Sequence, residues 1–164
     1  MPRSKSAGTP LHVAAASGLV EIVELLTRNG ASLDCGSKLK HTPLHLASRY
    51  GHLMVTSILL SMGGTVDARD VEGNTPLHKA ASNGQTAVCR ELVKRGADVC
   101  TRNNADYTPL HWAAFKGHKS AAEQLLKCGA DINSLSWWNS SALFISSFYG
   151  HVDVTMMLLA WGEC

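Results

Sequence analysis

Eight histidines, five cysteines and 13 acidic residues stand in a chain of 164 residues. These are the side chains that ligate metals and move protons, so their spacing decides whether they can meet at one centre. His12, His45, His78 and His111 recur every 33 residues. A ring repeated at a long fixed period occurs once per structural unit and runs along an array instead of converging. His52, His118 and His151 form a second set at repeat positions, and both sets read as structural. His41 falls outside both sets, so it alone is free to meet a partner. Cys35, Cys89, Cys100, Cys128 and Cys164 are scattered and contain no CxxC pair, which supports neither a zinc site nor a disulfide framework. They read as reduced thiols of a cytoplasmic or nuclear protein. Asp34, Asp67, Asp98 and Asp131 lie at repeat positions in turn-like segments and read as turn and capping residues. No GxSxG, glycine-rich phosphate loop or HExxH occurs. The expectation is a non-enzyme with no metal and no cofactor.

Composition narrows the partners. Hydrophobic residues make up 45% and charged residues 17%, a globular balance. A net charge of +2 is too small to imply nucleic acid or an anionic membrane. No apolar run approaches the roughly 18 residues of a membrane span, so no membrane insertion is expected. The opening "MPRSKSAG" has no apolar core of the signal-peptide kind.

The elements that must position these side chains follow from the same period. "TPLH" begins at Thr9, Thr42, Thr75 and Thr108, and a worn copy, "SALF", begins at Ser141. Gly18, Gly51, Gly84, Gly117 and Gly150 keep that step, as do Gly30, Gly63, Gly96, Gly129 and Gly162. Threonine before proline suits a helix start, because the hydroxyl caps an orphan N–H and proline has none to orphan. A short helix such as "PLHKAASN" follows, and Gly84 suits a left-handed end. A second helix, "TAVCRELVKR", is expected to bury Ala87, Val88, Leu92 and Val93 along one face. Gly96 stops it, and "ADVCTRNNADY" carries the chain out and back as an extended turn. Ala80, Ala81, Ala113 and Ala114 let first helices approach closely. Leu25, Leu26, Leu59, Leu60, Leu125 and Leu126 fill the layer behind. One such helix pair cannot bury its apolar face alone, whereas stacked copies can.

TPLHxAA, the following Gly with His in three units, the LL pair and Gly-Ala-Asp resemble the ankyrin repeat family across nearly the whole chain. The resemblance implies an all-α ankyrin-repeat solenoid. Helix-turn-helix units stack in it, hairpin fingers project, and fingertips and first helices line a concave groove. A single domain over residues 1–164 divides into units of roughly 4–36, 37–69, 70–102, 103–135 and 136–164. The resemblance also implies that the motif ring bonds the motif Thr and a neighbouring backbone carbonyl, tying unit to unit. Members of the family mostly bind other proteins.

In a solenoid, scaffold positions repeat and functional positions vary. The variable finger positions include Lys38, Leu39 and His41, then Val71, Glu72 and Asn74, then Asn104, Ala105 and Tyr107, then Trp137, Trp138 and Ser140. The variable ends of the first helices include Arg49, Tyr50, Ser82, Asn83, Phe115, Lys116, Phe148 and Tyr149. Most of the aromatic residues at these positions belong to the last two units. Trp112 joins them from inside the fourth first helix. The predicted partner-binding set is therefore Arg49, Tyr50, Tyr107, Trp112, Phe115, Lys116, Trp137, Trp138, Phe148 and Tyr149. Lys38, Lys40, Arg49, Arg69 and Arg102 give the earlier fingers a basic flavour, either as a solvated mixed surface or as a clamp for acidic residues. Nucleic acid is not favoured, because residues 136–164 contain no Lys or Arg. Two readings of Trp137 and Trp138 stand. The rings shield unit four, with Phe144 packing in place of the motif His, or they await a partner.

The ends carry two expectations. The last helix, "VDVTMMLLAW", has one charged residue, and Leu19 and Val20 leave apolar surface at the other end. The chain therefore reads as part of a longer protein, whose regulatory or structural segment docks intramolecularly or within a complex as an alternative to free partner binding. Finally, Leu125, Asp131, Ile132 and Asn133 in "LLKCGADIN" resemble a family segment hydroxylated on asparagine. The alternative is an Asn133 that bonds the turn backbone.

Overall fold

A computed structural model describes residues 8–162. Ten helices occur among them, in five pairs: α1 (Pro10–Ser17) with α2 (Val20–Arg28), α3 (Pro43–Tyr50) with α4 (Leu53–Ser61), α5 (Pro76–Ser82) with α6 (Thr86–Lys94), α7 (Pro109–Lys116) with α8 (Lys119–Lys127), and α9 (Ala142–Phe148) with α10 (Val152–Gly162). Odd helices pack on odd and even on even, so each pair stacks on the next in two helical layers.

Local chemistry explains each start. Thr42 is extended, and its hydroxyl accepts the His45 N–H at 3.4 Å while the Thr42 N–H donates to His45 Nδ1 at 3.1 Å. Thr75 and Thr108 repeat the reciprocal cap with His78 and His111. Ser141 keeps half of it, accepting from the Phe144 N–H at 3.2 Å, because phenylalanine has no ring nitrogen to reply. The first helices end at Gly18, Gly51, Gly84, Gly117 and Gly150, all with positive φ.

The core runs the length of the stack. Leu11, Leu44, Leu77 and Leu110 are buried beneath the first helices, and Leu59, Leu92, Leu125 and Leu158 lie in the second layer. Each leucine removed from water contributes about 2 kcal/mol. The motif alanines are sealed between neighbouring first helices, as their size requires. Two core expectations are corrected. Ala87 is exposed and Cys89 is buried in its stead, because the adjacent unit covers the flank of α6 that carries Cys89. Leu25 is exposed while Leu26 packs against the core. Leu25 shares a repeat position with Ile58, Glu91 and Gln124, and unit one has no predecessor among the described residues to cover it. At the same end Leu19 is exposed, whereas Val20 packs.

Terminal pairs touch one neighbour where central pairs touch two. Native-state hydrogen exchange is therefore expected to show α1–α2 and α9–α10 opening at lower free energy than α5–α6. Equal protection throughout would contradict this.

Candidate functional site: fingertips and an aromatic run

Each finger is one tight turn. The Lys40 N–H donates to the Ser37 carbonyl, Gly73 to Asp70, Asp106 to Asn103 and Asn139 to Ser136, at 2.8–3.0 Å. The fourth residue of every turn has positive φ: Lys40, Gly73, Asp106 and Asn139. A second bond closes each loop, from the N–H of Ser37, Asp70, Asn103 or Ser136 to the carbonyl four residues on. Fingers join their neighbours through one backbone bond each: Val71 to Leu39, Asn104 to Glu72 and Trp137 to Ala105. Although Asn104 Nδ2 adds a bond to the Val71 carbonyl and Glu72 accepts from Asn74, the backbone thus holds each finger without the side chains of its two central turn residues. In the last finger these are Trp137 and Trp138, 71% and 78% exposed. The rings stand away from unit four and do not shield it. Among the described residues neither makes a ring contact.

The other aromatics form a continuous run. Tyr107 of the fourth finger meets Trp112 of α7 at 5.6 Å between centroids, and Trp112 meets Phe115 edge-on at 5.6 Å. Phe115 reaches across the unit boundary to Tyr149 at 4.6 Å, and Tyr149 meets Phe148 at 5.1 Å. Edge-to-face pairs at these distances add about 0.5–1.5 kcal/mol each beyond their buried area. Phe144 extends the run by stacking on Phe148 at 6.2 Å. Its exposure corrects the expectation that it packs in place of the motif ring. Its i,i+4 spacing from Phe148 was the signal available in the sequence. Lys116 Nζ lies 4.9 Å over the Phe115 ring. The Trp112 indole N–H is covered by its neighbours and has no acceptor among the described residues.

The family model for ankyrin repeats matches three times, over residues 11–103, 58–136 and 101–164. The chain belongs to the ankyrin repeat family. No curated protein matches it in sequence. Ankyrin repeats are protein–protein interaction modules, and no described helix of this one is long and apolar enough to cross a membrane.

The histidines of this ankyrin array tie its units in two directions. Nε2 of His12, His45, His78 and His111 reaches forward to the carbonyls of His41, Asn74, Tyr107 and Ser140 at 2.8–3.1 Å. Nε2 of His52, His118 and His151 reaches back to Ala16, Ser82 and Phe115 at 2.8–3.2 Å. Gln85 fills the same role toward the Arg49 carbonyl. Gly84 shows why glycine ends the first helices, since it leaves room for the ring that the next unit sends back. It has φ +69°, and a Cβ there would meet His118 Nδ1 at 2.8 Å. The acids serve the turns: Asp34 accepts from Thr65, Asp67 from the Asp98 N–H, Asp98 from the Cys100 N–H and Asp131 from the Asn133 N–H.

The basic end of the groove differs in detail from expectation. His41 is not free: its Nε2 lies 3.3 Å from Asp70 Oδ2, and Lys79 Nζ sits 2.7 Å from the same oxygen. Burial raises the Asp70 carboxyl, but Lys79 and the backbone donors outweigh it and hold it below its usual value. Burial, then Lys79, holds His41 down and keeps its ring neutral near pH 7. Arg69 and Arg102 are also engaged, donating to the carbonyls of Arg102 and Leu135 in the neighbouring fingers. Lys38 and Arg49 remain on the wall of a groove cavity of about 400 Å³, with Val13, Leu39, Leu46 and Tyr50, and no acid lines it. Arg49 lies 5.5 Å over the Tyr50 ring. A larger depression of about 820 Å³ lies on the second helical layer, between Lys119 and Trp161, away from the fingers. The predicted set is thus split. Tyr107, Trp112, Phe115, Lys116, Tyr149 and Phe148 form one cluster, Trp137 and Trp138 occupy a fingertip, and Arg49 with Tyr50 lies two units away. Asn133 is exposed, and the bond it makes to the turn runs through its backbone N–H. Among the described residues no three metal-ligating side chains cluster, and Cys35, Cys89, Cys100 and Cys128 are free thiols.

Proposed function

We propose that this array binds a protein or peptide segment laid along the groove between fingers and first helices. The aromatic run from Tyr107 to Phe148 and the Trp137–Trp138 fingertip form its anchor. The observation that carries this reading is the exposure of both tryptophans on the last finger, together with a run of touching rings across units four and five. Large aromatics without a packing role are the residues that dominate binding energy. Lys38 and Arg49 line the other end of the groove and set polarity by favouring acidic residues in the partner.

The test is capture of partners with the chain as bait, repeated with Trp138→Ala and with Phe115→Ala. Each substitution is expected to weaken binding by about 2 kcal/mol or more, roughly thirty-fold. Trp138→Ala should move stability by less than about 0.5 kcal/mol, since its ring is largely in solvent. Retention of every captured protein by both variants overturns the groove assignment. Asn133 belongs to the same proposal as a hydroxylation site. Its peptide, taken from cells, is expected to gain the mass of one oxygen.

A further inference from the structure

We infer that the occupant of the groove is one extended peptide segment, carrying a pair of acidic side chains about six to eight residues from an aromatic or aliphatic anchor. It rests on the binding of a protein segment in this groove, and it adds what each end selects and how far apart the two selections lie. The repeat puts both ends on one wall. Arg49 shares its repeat position with Ser82, Phe115 and Phe148, one at the end of each later first helix. Lys38 shares its finger position with Trp137. A chain laid along the groove therefore passes cations first, then polar groups, then rings.

The first end carries uncompensated positive charge. Lys38 and Arg49 are both exposed and border the cavity of about 400 Å³ between α1 and the finger of unit two. Among the described residues neither has an acidic partner. The other cations of the early units are occupied. Lys79 lies 2.7 Å from Asp70 and 3.8 Å from Glu72, and Arg69 and Arg102 donate to carbonyls. Two cations without an acid are complemented by two carboxylates. Val13 and Leu39 on the same walls give the methylene stems of those acids an apolar surface.

The middle of the groove is balanced, with Glu72 beside Lys79 and accepting from Asn74, and with Ser82 and Asn83 uncharged. The far end is apolar. Phe115 meets Tyr149 there, Phe148 is exposed, and residues 136–164 hold no Lys or Arg to receive an acid. A carboxylate set among those rings would lose water without a partner, so that end selects an uncharged side chain. Helices packed side by side lie about 8–10 Å apart, so two to three steps from α3 to the α7–α9 boundary span about 20–25 Å. Extended chain advances about 3.3 Å per residue, which makes the spacer about six to eight residues. A spacer that does not match the span engages one end only.

Selection on the purified chain from a display library of random peptides, each long enough to span both ends, tests this. Enriched peptides are expected to carry two acids about six to eight residues from an aromatic or aliphatic anchor, in either order. Changing the acids of such a peptide to their amides is expected to weaken its binding about tenfold. The same change is expected to cost nothing on a variant carrying both Lys38→Glu and Arg49→Glu, confirmed folded by circular dichroism. Enriched peptides that depend on Phe115 and Trp138 but lack the acids, or carry them at no fixed spacing, overturn the inference and leave the groove reading intact. So does an acid effect that persists in the double variant. A selection that enriches nothing, or only peptides indifferent to Phe115→Ala and Trp138→Ala, overturns the groove reading and the inference with it.

Discussion

His78→Ala is expected to lower the unfolding free energy by about 3–5 kcal/mol. The ring is fully buried at the centre of the array. It accepts the Thr75 N–H at 3.1 Å, lies 2.9 Å from Thr75 Oγ1, and donates through Nε2 to the Tyr107 carbonyl at 2.9 Å. Truncation leaves a ring-sized cavity, a buried N–H without an acceptor and a carbonyl without a donor. It also severs the forward tie between units three and four, so the array loses coupling at its middle. His52→Ala is the comparison, because that ring is half-buried and makes one bond, to the Ala16 carbonyl. About 1 kcal/mol is expected there. Urea unfolding of the two variants reads the difference. Equal losses would show that the motif ring is only filler.

Acid is expected to dismantle the array through the same rings. With Nδ1 accepting from the threonine N–H, the proton sits on Nε2 and the ring is neutral. Burial holds His45 and His78 down at about 4 and lowers His111 as well. The unfolded chain, with rings near 6.5, therefore binds protons more readily than the folded one. Stability is complete above about pH 6.5 and falls as the pH drops toward about 4. Below that, the loss reaches about 3 kcal/mol for each of His45 and His78. Asp70 adds a smaller loss in the same direction at the acid end, because its carboxyl is held down by Lys79. Asp67 opposes this, since burial raises its carboxyl. The rings outnumber it and are far more deeply buried. Thermal midpoints followed from about pH 7 to about pH 4.5 should decline steadily. A flat profile would mean that the rings are protonated in the folded state.

Much of this was legible in the residues because it is local. Thr, Pro, the ring three positions on and the closing glycine all act within one helix. The ring-to-carbonyl tie was legible through the family resemblance. Side-chain burial on the second helices was less so. Periodicity picks out a helical face, but the neighbouring unit decides how far round that face is covered. Hence Cys89 displaced Ala87 in the core, and Leu25 fell outside it. His41 read as free because its partners, Asp70 and Lys79, come from the next finger and from α5. Arg69 and Arg102 read as free cations for a similar reason, since their acceptors are carbonyls 33 positions away.

The sequence by itself determined the repeat, its helix pairs, the family and the positions left open to vary. Period, caps and turn residues act over a few bonds and need no third dimension. Only the tertiary structure decided which aromatic rings touch. It set Phe115 against Tyr149 across a unit boundary and left Trp137 and Trp138 out in solvent. Side-chain bonds between the second helices of adjacent units join residues 34 positions apart rather than 33. That offset arises from how one helix pair is displaced on the next, which no single unit's sequence contains.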